Sequence, residues 1–473
     1  MNYGISRKNF LIGLGSALAV RNAAFAGSPK LGRYYAPYLD GIARKVADNA
    51  AKGAKNGFMF FTDPHVTRNF GQSGFIMADL VKRTGIRRVI GGGDYMPAFC
   101  ESPDENPKDC VDAAYAMMTS RWRDPIEAAG GLFFTAKGNH DIYVWGDAKR
   151  SRGFKYASAT ARKMMMDMKA CGSVTVNPEE KHGVYFYCDD GLQKTRYIVA
   201  DTSDGVLAKD DSSGRGGGYG NGMRPAQLKW MGEVAFGTVP AGYSVVVVHH
   251  IPLTPFTGNA KEIKAYSDFL NILEAYQSHG KAKTAKAGEF DFSSRKGGDI
   301  LFDIAGHTHS DRFAFHNGIL HITEICDARN TEAMFRTPFS GKLFDIKNAG
   351  ARKGTVKEQG FDVVNFGGGS VRTTRIGIGQ DRVFRLKTVT LKAGSKAKLE
   401  SAEFADVKWR GFDSWEVKEN RKEKDPAKHW TFANKIADIS PEGVVSAKSP
   451  GWATAVAIAP DFRKEIVGIK VEA

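Results

Sequence analysis

The chain has 473 residues, is 42% hydrophobic and 25% charged, and carries a formal net charge of +15. This is the composition of a globular protein with material for a sizeable core, and its length suggests two to four domains, or one large domain with an added module. The positive charge favours anionic partners but does not choose between phosphoesters, nucleic acid, membrane and cell-wall polymer; because the lysines are dispersed and no basic run is interleaved with aromatics, nucleic-acid binding is not expected.

Residues 1–26 read as a signal peptide: Arg7-Lys8, then an apolar run from Phe10 to Val20, then Ala24-Phe25-Ala26. Its apolar run is too short to span a bilayer, no second long apolar stretch follows, and no transmembrane segment is expected. The stretch from Ser6 to Leu11 is similar to the twin-arginine export signal, but Lys8 stands where the second Arg belongs, so the export route stays open. An exported protein, periplasmic or secreted, is the expectation. Removing residues 1–26 takes away Arg7, Lys8 and Arg21 and no acidic residue, which leaves about +12. Of the five cysteines, Cys100 with Cys110 and Cys171 with Cys188 flank short segments that disulfides could close; free thiols are the alternative. With no C-x-x-C, a thiolate metal site is not expected.

Residues 27–54 read as a linker and an N-terminal helix. Phe58–Phe61 is wholly apolar, as in a strand buried on both faces, and is followed by Asp63-Pro64-His65. A helical pattern over 74–83 leads to a second buried strand at Val89-Ile90, followed by Gly93-Asp94. A helix over 111–129 leads to Leu132–Thr135, followed by Gly138-Asn139-His140-Asp141. Strand–helix–strand–helix–strand is the pattern of a parallel sheet, whose ligands collect at the carboxyl ends of strands. Further on, helices are expected at 158–170, 224–235 and 266–278, and a hairpin from 183–187 with 196–200. A strand over 244–248 delivers His249 and His250, and one over 300–305 delivers Gly306-His307-Thr308-His309. Segments 361–366, 371–376 and 383–390 read as closing β-strands. The six glycines within 214–222 form a loop and not a phosphate cradle, because no Gly-Lys-Ser/Thr follows.

One Asp-x-His at a strand end is often only a turn, and His249-His250 could be a packed core pair. Five such clusters, each at the end of an apolar run, read together as a metal site. The set resembles the calcineurin-like metallophosphoesterase superfamily, over roughly residues 55–390 and with all five motifs in the family's order. The resemblance implies an α/β fold, a two-sheet sandwich flanked by helices. It also implies two metal ions (Zn, Mn or Fe): Asp63, His65 and His309 would hold the first, Asn139, His307 and His250 the second, with Asp94 bridging both. Pro252 selects His250 within the pair, His249 being the alternative. The implied activity is phosphoester hydrolysis, of monoesters or diesters, by a metal-activated hydroxide. His140 and Asp94 would be the catalytic residues, His140 acting on the leaving oxygen. Asp141 would either orient His140 or cap the segment after it.

Two departures narrow the resemblance. Asp94 is followed by Tyr95-Met96-Pro97-Ala98, so the Asp and Arg that Ser/Thr protein phosphatases carry there are absent, and support for His140 must come from elsewhere. The position of the iron-binding Tyr of purple acid phosphatases is Pro97, and Tyr95 reads as a packing residue.

Beyond residue 390 the chain reads as a small all-β module at 391–473. The stretch from Ile439 to Thr454 resembles the closing part of a bacterial group 2 Ig-like domain, interrupted by a charged loop over 416–428. Such a module would suit contact with the cell envelope or a polysaccharide. It also supports an alternative: an adhesion or binding protein built on an inactive phosphatase-like scaffold. Against that stands the complete set of ligand positions. The loops that would distinguish substrates are 98–109, 203–222 and 254–264.

Overall fold

The computed structural model describes residues 31, 34–66, 72–97, 100, 106–145, 153–166, 174–205, 221–254, 264–327, 355–419 and 430–473. The signal-peptide stretch, Cys171, and most of the three substrate loops and of the charged loop over 416–428 lie outside these residues.

Two large sheets face each other. The first has nine strands, in the order 408–413, 451–458, 464–472, 382–392, 370–377, 360–367, β1 (Asn56–Phe61), β2 (Arg88–Gly91) and β3 (Leu132–Thr135). β1, β2 and β3 run parallel, with helices Ser73–Thr84 and Pro107–Met118 lying between them in the chain. The second sheet has seven strands, in the order 312–316, 319–323, 300–305, 244–248, 195–199, 186–190 and 174–176. Strand 244–248 pairs parallel with both 195–199 and 300–305.

The apolar runs dictate this layering. Successive strand residues point to opposite faces. In β1, Phe58 and Phe60 enter the core between the sheets, where they meet Phe302, Val246 and Phe366, while Met59 and Phe61 face the covering helices and meet Val89, Phe133 and Trp122. Each such side chain contributes roughly 1.5–3 kcal/mol on full burial. The second sheet repeats the plan: Val246 and Val248 face inward, and Val245 and Val247 pack against the helical segments 225–236 and 267–277. The helix expected over 111–129 occupies Pro107–Ala128 with a π-helical turn at Thr119–Arg123, and that over 224–235 continues from Pro225–Trp230 through a second π-helical turn.

The segment beyond 390 is all-β, and three of its strands continue the first sheet: strand 464–472 pairs parallel with 382–392 and antiparallel with 451–458, which pairs with 408–413. One face of this extension (Ala453, Ala455, Val467, Ile469) packs with Ala437 and Val445 of a separate three-stranded sheet. No helix among the described residues is long and apolar enough to cross a membrane.

Candidate metal centre

The five clusters meet at one edge of the sandwich. β1 is followed by Asp63 and His65, β2 by Asp94, and β3 by Asn139 and His140; strands 244–248 and 300–305 supply His250, His307 and His309 from the facing sheet. Five of the ten non-glycine residues with positive φ among the described residues are in this set: Asp63, His65, Asp94, His307 and His309. Such backbone costs of order 1–3 kcal/mol per residue and persists where surrounding structure imposes it, as at functional sites. The loops also interlock without spare room. A Cβ on Gly138 would lie 2.1 Å from Asp94 Oδ1, and one on Gly306 would lie 1.9 Å from Thr62 Oγ1.

Two triads result, Asp63–His65–His309 and Asp94–His250–His307, each with its ligand atoms within 4.8 Å of one another. In the first, Asp63 Oδ2 accepts from Thr62 Oγ1 (2.7 Å) and from the His307 backbone N–H (2.8 Å). That leaves Oδ1 facing His309 Nε2 at 3.1 Å, with His65 Nε2 and His250 Nε2 each at 4.0 Å. His65 Nδ1 lies 2.8 Å from the Met96 carbonyl. A carbonyl only accepts, so Nδ1 carries the proton and Nε2 presents its lone pair, 3.1 Å from His309 Nε2. In the second triad His250 Nδ1 donates to the Gly92 carbonyl (2.7 Å), and its Nε2 lies 3.1 Å from both Asp94 Oδ2 and Asn139 Oδ1. Asp94 Oδ1 accepts from the His140 backbone N–H (2.8 Å).

Carboxylate, amide and imidazole ligand atoms therefore converge in a buried site, an arrangement that a cation among them would stabilise. Burial works against a charged His250, but Asp94 and Asp63 outweigh it and lift its pKa to about 10. Burial also works against ionised Asp63, yet His250 and His309 hold its carboxyl at about 2. Burial, with His309 beside it, lowers His65 to about 4, and burial with His250 lowers His307 to about 3, so both rings are neutral and fit to ligate near pH 7. Imidazole, carboxylate and amide donors suit Zn, Mn or Fe. The residues present thus fit two ions.

His140 stands outside both triads. Its Nε2 lies 4.0 Å from Asp94 Oδ2, its ring centroid 5.4 Å from that of His65, and burial lowers its pKa. His249 turns the other way: Nδ1 donates to the Ile251 carbonyl (3.0 Å), and Nε2 lies 3.5 Å from Asp303, which is held in turn by His321 (2.5 Å). Of the pair only His250 enters the site. Tyr95 is buried against Phe61 and Trp122, with its hydroxyl donating to Thr135 Oγ1 (2.9 Å), so it packs as expected.

Three features were not foreseen. Thr62 orients Asp63. Lys137, just before Gly138, is buried in an ion pair with Asp201 (2.7 Å). The Asp141 carboxylate accepts four backbone N–H groups, from residues 94, 95, 96 and 138. Only the dense run Gly138–Asp141 hinted at Asp141, and nothing near Lys137 points to Asp201. Among the cysteines, Cys188 is disulfide-bonded, and the Cys100 and Cys110 sulfurs lie 2.8 Å apart.

No family model matches the chain, and no curated protein matches it. Among solved structures, a dimetal phosphatase from Danio rerio aligns at 13% identity and TM-score 0.41, covering 69% of this chain and 98% of that one. GAP50 of Plasmodium, the anchor in its inner membrane complex, aligns at 11% and 0.38, covering 68% and 84%. A putative 5'-nucleotidase from Staphylococcus aureus aligns at 12% and 0.30, covering 70% and 54%. All three scores are below 0.5, so the functional reading stands on the geometry. A two-sheet sandwich with the five clusters gathered at one edge is the arrangement that resemblance to the calcineurin-like metallophosphoesterases implied.

Proposed function

We propose that the protein is an exported two-metal phosphoester hydrolase acting on phosphomonoesters or phosphodiesters. The observation that carries this reading is the pair of triads, each with its carboxylate and imidazole ligand atoms within 4.8 Å of one another. Asp63, His65 and His309 would hold one ion, and Asn139, His250 and His307 the other, with Asp94 between them. When bound, the two ions would supply Lewis-acid activation of water and neutralise charge on the phosphoryl group. Thr62 and the His307 N–H orient Asp63, while the Met96 and Gly92 carbonyls orient the His65 and His250 rings so that each aims Nε2 at an ion. His140, which ligates neither ion in this reading, donates a ring N–H to the leaving oxygen. Export rests on residues 1–26 and suits a protein in which Cys188 is disulfide-bonded.

The test is metal analysis of the purified protein, then assay on a monoester and a diester aryl phosphate with Mn, Zn or Fe. Two ions per chain and hydrolysis of at least one ester are expected. No hydrolysis of either ester with any of the three metals would overturn the reading and favour an inactive scaffold.

A further inference from the structure

Asp141 is wholly buried and belongs to neither triad. Its Oδ2 accepts from Asp94 N (2.9 Å) and Gly138 N (2.7 Å), and its Oδ1 from Tyr95 N (2.7 Å) and Met96 N (3.3 Å). One carboxylate thus satisfies N–H groups of two loops more than forty residues apart in the chain. These are the loops that carry Asp94 and Asn139. Asp94 has φ 59°, a conformation no strand or helix ladder would hold. From behind, the Tyr115 hydroxyl donates to the Asp141 carbonyl (2.7 Å). A neutral amide cannot do the same work: whichever way an Asn side chain is turned, its NH2 end meets two N–H groups.

We propose that Asp141 is a positioning residue that sets the gap between Asp94 and Asn139, and so chiefly builds the second ion's site, the first keeping Asp63, His65 and His309 and depending on Asp141 only through its share of Asp94 and the Met96 carbonyl behind His65. This rests on the two-metal reading above. Asp141 itself touches neither ion nor substrate.

The test is Asp141→Asn. Ions per chain and their affinities are measured by mass spectrometry and calorimetry with Mn, and backbone amide exchange is measured in the metal-free protein. One ion should weaken only slightly, and the other by about 10–100-fold, the range for loss of a group that supports a ligand. Amides 94–96 and 138 should exchange faster. A merely structural role would weaken both ions together, in step with the melting temperature. Equal weakening of both ions, or unchanged affinities with unchanged amide exchange, would overturn the proposal. Tyr115→Phe loosens Asp141 but keeps its carboxylate, so it should give the same selective weakening to a smaller degree; it decides the matter if Asp141→Asn does not fold. If the unsubstituted protein binds no metal, the two-metal reading fails, and amide exchange alone judges whether Asp141 clamps the loops.

Discussion

Two buried polar clusters lie close together, and they are built on opposite principles. In one, Arg375 and Arg382 tie Asp311 and Glu324 of the second sheet's loops to Asp362 of the first sheet. Arg375 reaches Asp362 and Asp311 at 2.7 Å, and Arg382 reaches Glu324 at 2.7 Å. Every carboxylate there has a guanidinium against it. In the other, two residues upstream of Asp311, His309 begins a cluster in which imidazole and carboxylate ligand atoms converge. Both clusters are buried, charged and at strand ends. Burial of charge therefore does not mark the functional site; convergence of metal-ligating atoms does. The ion-pair cluster closes the sandwich from within, while the other gathers groups fit to hold a cation.

The contrast can be broken by substitution. The largest effect is expected at the centre. Asp94→Ala should remove metal and abolish turnover, whereas His140→Ala should lower kcat by about 10²–10⁴ with both ions retained. Metal analysis beside the rate decides between them, and loss of metal in His140→Ala would show its assigned role to be wrong. Next, Arg382→Met should leave Glu324 and Asp362 short of a cation and destabilise the protein by about 3–5 kcal/mol in a denaturant titration. Ions per folded chain should not change. If they fall, the two clusters are not independent. The smallest effect is expected at His249, which faces Asp303: His249→Ala should leave metal content as it was, while His250→Ala should lower it. Equal losses from the two variants would contradict the orientation of the pair.

Much of the site was legible in the chain because ligand chemistry is local. Asp-x-His, Gly-Asp, Gly-Asn-His-Asp and Gly-His-Thr-His each follow an apolar run, and a short run with both faces apolar is a buried strand whose end is where polar residues emerge. Asp141 was visible only as a residue beside ligands, because three of its four donors lie in a loop some 45 positions away. Lys137 gave no signal for the same reason, its partner Asp201 being far along the chain. The C-terminal strands read correctly as β, but their place in the first sheet depends on pairing between 382–392 and 464–472, a register that no local pattern specifies.

What the sequence determined by itself is the set of side chains able to bind metal and the strand ends that present them. What only the tertiary structure decided is which way those side chains face. Strand 244–248 shows why: Val245 to Val248 are apolar without alternation, so periodicity cannot say which side is inside. Once the two sheets pack, Val246 and Val248 face inward, His250 turns into the site, and His249 turns toward Asp303.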